Sequence, residues 1–83
     1  MIDIQKDLAI GGRYLIRHPM GDWEGWVTIA KKEMDRFYVS DITLTYAKSS
    51  ATRKYFSNPE YPHCLYGKRW NILKTHEESL ENE

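Results

Sequence analysis

Apolar residues recur along this chain at two different spacings. Near its start Ile4 and Leu8 stand four residues apart behind Asp3, whose carboxylate suits the free N–H groups of a first helical turn, and Gly11-Gly12 ends the run. One short helical turn over residues 3–10 is predicted. From Arg13 the period becomes two. Arg13 to Arg17 is rich in β-forming residues, and His18-Pro19-Met20-Gly21-Asp22 supplies proline and glycine where a hairpin loop wants them. A second strand, Trp23 to Lys31, places Gly25, Val27 and Ile29 on one face, assigned to the core, and Glu24, Trp26, Thr28 and Ala30 on the other.

After a polar connection at residues 32–35, Arg36 to Val39 and Ile42 to Tyr46 read as strand on either side of Ser40-Asp41. Phe37 and Val39 share one parity, Ile42 and Leu44 the other. Burying both pairs therefore requires a bulge or tight corner at Ser40-Asp41. Residues 47–62 are irregular, with one helical turn predicted near 50–57 and breakers at Asn58-Pro59 and Tyr61-Pro62. Cys64 to Tyr66 and Arg69 to Leu73 read as closing strand joined through Gly67-Lys68. The segment 75–83 carries four acids and no base, and is predicted to be frayed or a short helix.

Four to six short strands separated by polar turns make a mainly β chain: a small antiparallel SH3-like barrel or a strongly bent sheet, with one or two short helical turns. Gly12-x-Tyr14, a turn, Trp23-x-Gly25-Trp26, a second turn and a further strand form a pattern that loosely resembles many barrels of that kind. Such a resemblance implies a fold and carries no function of its own. No internal repeat or low-complexity tract interrupts the chain, so residues 1–83 are expected to form a single domain.

At 83 residues there is room for one core, and 41% apolar with 13% aromatic residues is the composition of a chain that folds. One cysteine, Cys64, cannot close an internal disulfide, which favours a reducing compartment. The first ten residues lack a basic region and a long apolar run, so the expectation is a cytoplasmic protein with no membrane association.

Chemistry is poorly provided for. His63 and Cys64 are neighbours on a predicted strand and therefore point to opposite faces, which argues against a nucleophile–base pair. His18, His63, Cys64 and His76 lack the paired spacing of a zinc site, and Gly11-Gly12 stands before a strand rather than opening a phosphate-binding helix. The expectation is a protein with no catalytic residues, no metal and no cofactor.

Twelve Lys and Arg balance twelve Asp and Glu, yet the distribution is uneven. Residues 42–74 hold Lys48, Arg53, Lys54, Lys68, Arg69 and Lys74 against Glu60 alone, a local excess of five, together with Tyr46, Tyr55, Phe56, Tyr61, Tyr66 and Trp70. Cations interleaved with rings suit single-stranded nucleic acid, with phosphates on the former and bases on the latter. The plain alternative is that the rings are core and the cations its solvated rim. A second candidate surface centres on Trp26, whose parity turns it away from Val27 and Ile29, and includes Glu24, Tyr38 and Tyr14. An exposed tryptophan of this kind belongs either to a binding hot spot or to a small cluster under residues 47–62.

A chain this short without a reactive constellation acts by occupying a surface. The leading expectation is a non-catalytic binding protein whose target is a protein partner, as inhibitor, adaptor or small subunit, an economy shared by products of phages and mobile elements that act on host machinery. The second expectation is a nucleic-acid-binding barrel using residues 42–74, with Arg53, Lys54, Tyr55, Lys68 and Arg69 as its contacts.

Overall fold

A computed structural model describes residues 2–56 and 63–75. The segment 57–62 and the acidic segment 76–83 lie outside the described residues, and with them the expectations of a breaker at Asn58-Pro59 and of a frayed or helical tail. Along the chain run α1 (Ile4–Asp7), β1 (Arg13–Arg17), β2 (Trp23–Lys32), β3 (Arg36–Ala47), α2 (Ser50–Phe56), β4 (His63–Tyr66) and β5 (Asn71–Thr75). The strands form one antiparallel sheet in the order β4-β3-β2-β1-β5. The molecule is thus mainly β with two short helices. Of the two forms expected, the bent sheet is the one observed, because β4 and β5 are its two edges and the sheet does not close into a barrel.

α1 is a single turn because its ends are fixed locally. The Asp3 carboxylate accepts from the N–H groups of Gln5 and Lys6, and Leu8 has already returned to extended backbone. At the other end the Lys32 ammonium donates to the carbonyls of Leu8 at 2.7 Å and Gln5 at 3.1 Å, a cation meeting helix-terminal acceptors. Ile4 and Leu8 reach into the core as their spacing requires.

Sheet curvature comes from three irregularities in the β2–β3 ladder. Thr28 pairs with Asp41 while Ile29 pairs with Val39, which leaves Ser40 as an extra residue on β3. The predicted slip at Ser40-Asp41 is a β-bulge within one continuous strand. It keeps Phe37 and Val39 buried and also turns Ile42 and Leu44 to the same side, where they pack half-buried against the core. Ala30 and Thr45 are the extra residues at the other two shifts.

Gly21 takes a φ of +73° in the β1–β2 loop, a conformation that side chains other than glycine rarely adopt. Gly25 is needed for a different reason: a Cβ there would lie 2.9 Å from the Thr43 carbonyl oxygen.

The core occupies one face of the sheet. Ile16, Val27 and Phe37 are fully buried on it, with Ile29, Val39 and Leu65 beside them, and α1 closes it from below through Ile2, Ile4 and Leu8. Trp23 and Trp70 complete it, their ring centroids 5.4 Å apart. Arg69 and Trp70 do not belong to the last strand, contrary to the sequence-based expectation. The Trp70 indole turns into the core, with Nε1 donating to the Tyr66 carbonyl at 3.0 Å, and β5 begins one residue later. The connection through Gly67-Lys68 carries the chain from one sheet edge to the other, and its Lys68 carbonyl accepts from the N–H of Ile2.

Candidate contact surfaces

The face of the sheet opposite the core carries no helix among the described residues. Cross-strand pairing places Arg13, Leu15 and Arg17 of β1 beside Thr28, Trp26 and Glu24 of β2, and Asp41, Thr43 and Tyr46 of β3 on their other flank. Trp26 sits half-buried at the centre, directly across from Leu15, with the Arg13 guanidinium 5.9 Å from its ring centroid. Two ion pairs bound this apolar centre. Arg17 and Glu24 meet at 2.7 Å on one side, and Arg13 and Asp41 at 3.0 Å on the other, where Thr28 also donates to the same carboxylate. Glu24 therefore lies beside Trp26 with its charge already answered.

Tyr38 shares this outer face but stands farther along it, beyond the Ala30 irregularity, opposite Lys31. The Lys31 ammonium lies 5.5 Å from its ring, and its neighbour across β3–β4 is Cys64. A hydrogen bond with the Cys64 thiol, and after it partial desolvation, raises the Tyr38 phenol above its ordinary pKa. Next to this pair Arg36 stacks on Tyr66 at 4.6 Å and is held by Asp35 at 2.9 and 3.0 Å, a contact that lowers the Asp35 carboxyl and raises the guanidinium.

Tyr14 does not extend the surface. It pairs with Val27, packs against the core, and its hydroxyl accepts from the Ala9 N–H at 2.8 Å. Its parity is that of Ile16, so the phenol closes the sheet against the chain leaving α1 instead of facing Trp26.

A second feature lies on the core side, where α2 and the β4–β5 connection flank the end of the sheet. Two clefts of about 330 and 260 Å³ meet there, sharing His18, Trp23 and Phe56 as walls. The first continues to Thr52 and Tyr55 of α2, the second to Tyr66 and Trp70. The rings contact one another throughout: Trp23 and Phe56 at 4.7 Å, Phe56 and Tyr55 at 5.0 Å, His18 and Trp70 at 5.3 Å. His63 lies 5.8 Å from Phe56, and its Nδ1 is buried without a hydrogen-bond partner among the described residues.

The basic stretch thus divides. Trp70 is core and Phe56 leans on it, whereas Tyr46, Tyr55 and Tyr66 are exposed; Tyr61 lies outside the described residues. Arg53, Lys54 and Tyr55 are exposed on α2, and Lys68 and Arg69 are exposed in the β4–β5 connection. The carboxylates of β2, β3 and the loop between them are bound to Arg13, Arg17, Lys31 and Arg36, while no ion pair joins Arg53, Lys68 or Arg69 to an acid among the described residues.

His63 and Cys64 face opposite sides of β4, His63 across from Val39 and Cys64 across from Tyr38. Among the described residues no three His, Cys, Asp or Glu side chains gather as metal ligands, and no helix is long and apolar enough to cross a membrane. The ring cluster around Trp23 escaped the sequence reading, although Trp23 has the parity of Gly25, Val27 and Ile29 and so belongs to the core side by the same rule. No family model, curated protein or solved structure matches the chain.

Proposed function

We propose that this chain is a non-catalytic binding protein of the cytoplasm that acts by occupying a surface of a protein partner, as an inhibitor, adaptor or small subunit of the kind phages and mobile elements direct at host machinery. The observation that supports it is the composition of the outer face. Trp26 and Leu15 form an apolar centre, and the charges around it are already paired within the molecule by Arg17–Glu24 and Arg13–Asp41. A partner that covers Trp26 buries a large ring without stranding a lone charge, which is the arrangement of a hot spot with a neutralised rim.

The test compares proteins retained from a host lysate by the wild-type chain and by Trp26→Ala, after thermal unfolding has established that both are folded. A partner retained by the first and lost by the second is expected, with affinity falling roughly 30-fold or more, the change of a hot-spot residue worth about 2 kcal/mol. A partner set that is empty, or indifferent to Trp26, overturns the reading.

A second reading, nucleic-acid binding by Arg53, Lys54, Tyr55, Lys68 and Arg69, has its own support in the exposure of these side chains and in Arg53, Lys68 and Arg69 forming no ion pair with an acid among the described residues. Its signature is affinity for single strands that falls steeply with salt.

A further inference from the structure

No lysine or arginine lines either of the two clefts beside α2, and the one carboxylate in their walls among the described residues is Asp22. Asp22 comes from the β1–β2 loop and lines the first cleft together with Ala51, Thr52 and Tyr55 of α2. The second cleft adjoins it through the shared walls His18, Trp23 and Phe56 and continues to Leu65, Tyr66 and Trp70, with no acid of its own. The two make one groove: rings along its length and a negative charge at one end.

That charge is not answered within the chain. The Asp22 backbone carbonyl accepts from the Lys48 N–H at 2.8 Å, but no lysine or arginine pairs with its carboxylate among the described residues. His18 Nδ1 lies 3.7 Å from the carboxylate, an ion pair only when the ring is protonated. The same Nδ1 accepts from the Met20 N–H at 3.2 Å, the arrangement of a neutral imidazole. Neutral His18 adds a ring to the wall and leaves the carboxylate its full charge.

We propose that this groove binds a monovalent organic cation, with a methylated ammonium head between the Asp22 carboxylate and the rings of Tyr55, Phe56 and His18, and an apolar stem running past Trp23 to Trp70 and Tyr66. The negative faces of rings attract a cation, most effectively one that gives up little water on leaving solvent, and methyl groups shield an ammonium in that way. An anion finds only Asp22 to meet it. A second positive charge on the stem finds no acid, which excludes a polyamine. The site is independent of the Trp26 surface, which lies on the opposite face of the sheet. Small quaternary amines and the side chain of a trimethylated lysine carry the same head, and the experiment separates them.

The experiment is a nuclear magnetic resonance titration that follows the three indole N–H signals, with choline, its uncharged isostere dimethylbutanol and butyltrimethylammonium as probes. Choline is expected to saturate a site that shifts the Trp23 signal and not that of Trp26, and the uncharged isostere to bind roughly 2- to 30-fold more weakly, corresponding to about 0.5–2 kcal/mol. Butyltrimethylammonium should also shift Trp70 and bind tighter than choline, by roughly fourfold for each further methylene buried. Asp22→Asn should weaken choline roughly 2- to 5-fold, whereas Glu33→Gln, which removes the same charge at the far end of β2, should not. Tyr55→Leu should also weaken it and Tyr55→Phe bind as wild type, each variant first shown to be folded by thermal unfolding. A short peptide carrying one trimethyllysine that binds tighter than choline assigns the head to a protein side chain; one that binds no tighter assigns it to a free amine. An isostere as tight as choline, indifference to Asp22→Asn, or shifts confined to Trp26 overturns the cation site and leaves the reading of the Trp26 surface untouched.

Discussion

Tyr38 and Cys64 are direct partners across the β3–β4 ladder, and the thiol beside the phenol is the main reason that the Tyr38 pKa is raised. Hydrogen bonding to the thiol and partial desolvation favour the protonated phenol, so the pKa of Tyr38 in the folded chain lies above the value of about 10 that it has when unfolded. A raised acid of this kind stabilises the fold fully below the unfolded pKa, and the contribution disappears as pH climbs through the folded one. Denaturant unfolding should therefore show wild type losing stability relative to Tyr38→Phe above about pH 10, and no difference in pH dependence between them near neutrality. In an ultraviolet titration Cys64→Ala should move the Tyr38 transition downward; an unmoved transition would show that the thiol is not its partner.

Ser40 is the residue that lets β3 bury four apolar side chains of mixed parity. Deleting it would restore strict alternation, and either Phe37 with Val39 or Ile42 with Leu44 would then face water. Since Phe37 and Val39 are core residues, the register would break at the Ile42 end. The deletion is expected to abolish cooperative unfolding monitored by far-ultraviolet dichroism, while Ser40→Ala, which retains the extra residue, should unfold much as wild type does.

Period-two alternation was enough to locate β1, β2 and the bulge in β3, because each of those elements buries one face and leaves the other polar. The same rule separated Trp26 from Val27 and Ile29. It gave less where tertiary packing overrides local pattern. Tyr14 looks amphipathic in sequence, and only the path of the chain after α1 reveals that its hydroxyl is taken by Ala9. Arg69-Trp70 reads as strand because tryptophan favours strands, yet that indole packs on Trp23 and ends the connection instead. The groove was invisible for a related reason: its walls come from the β1–β2 loop, α2 and β4, which no local spacing relates.

Phe37 is fully buried and lies 6.0 Å from the Trp70 ring in an edge-to-face contact. Removing such a ring costs about 3–5 kcal/mol. A single-core chain of this size without a disulfide has a total stability of the same order, roughly 3–5 kcal/mol. Phe37→Ala should consequently be largely unfolded at room temperature, and Phe37→Leu partly rescued. Gly25→Ala should also destabilise, through the 2.9 Å approach to the Thr43 carbonyl, with its loss of stability read as a lowered denaturant midpoint and an unchanged slope.

The three tryptophans make the two faces of the sheet separately observable. Trp23 and Trp70 are 3% and 4% exposed in one ring cluster, whereas Trp26 is half-buried on the opposite face. A small neutral quencher such as acrylamide should reach Trp26 in the folded chain and the other two only on unfolding. Trp26→Phe is expected to remove most of the quenchable emission and to change stability little, because Trp26 is only half-buried and the ring that replaces it still covers Leu15. Trp23→Ala should instead cost about 3–5 kcal/mol and leave the quenchable fraction in place for whatever protein stays folded. If quenching is unaffected by Trp26→Phe, the outer face is covered in solution, and a surface already covered is not open to the protein partner assigned to it.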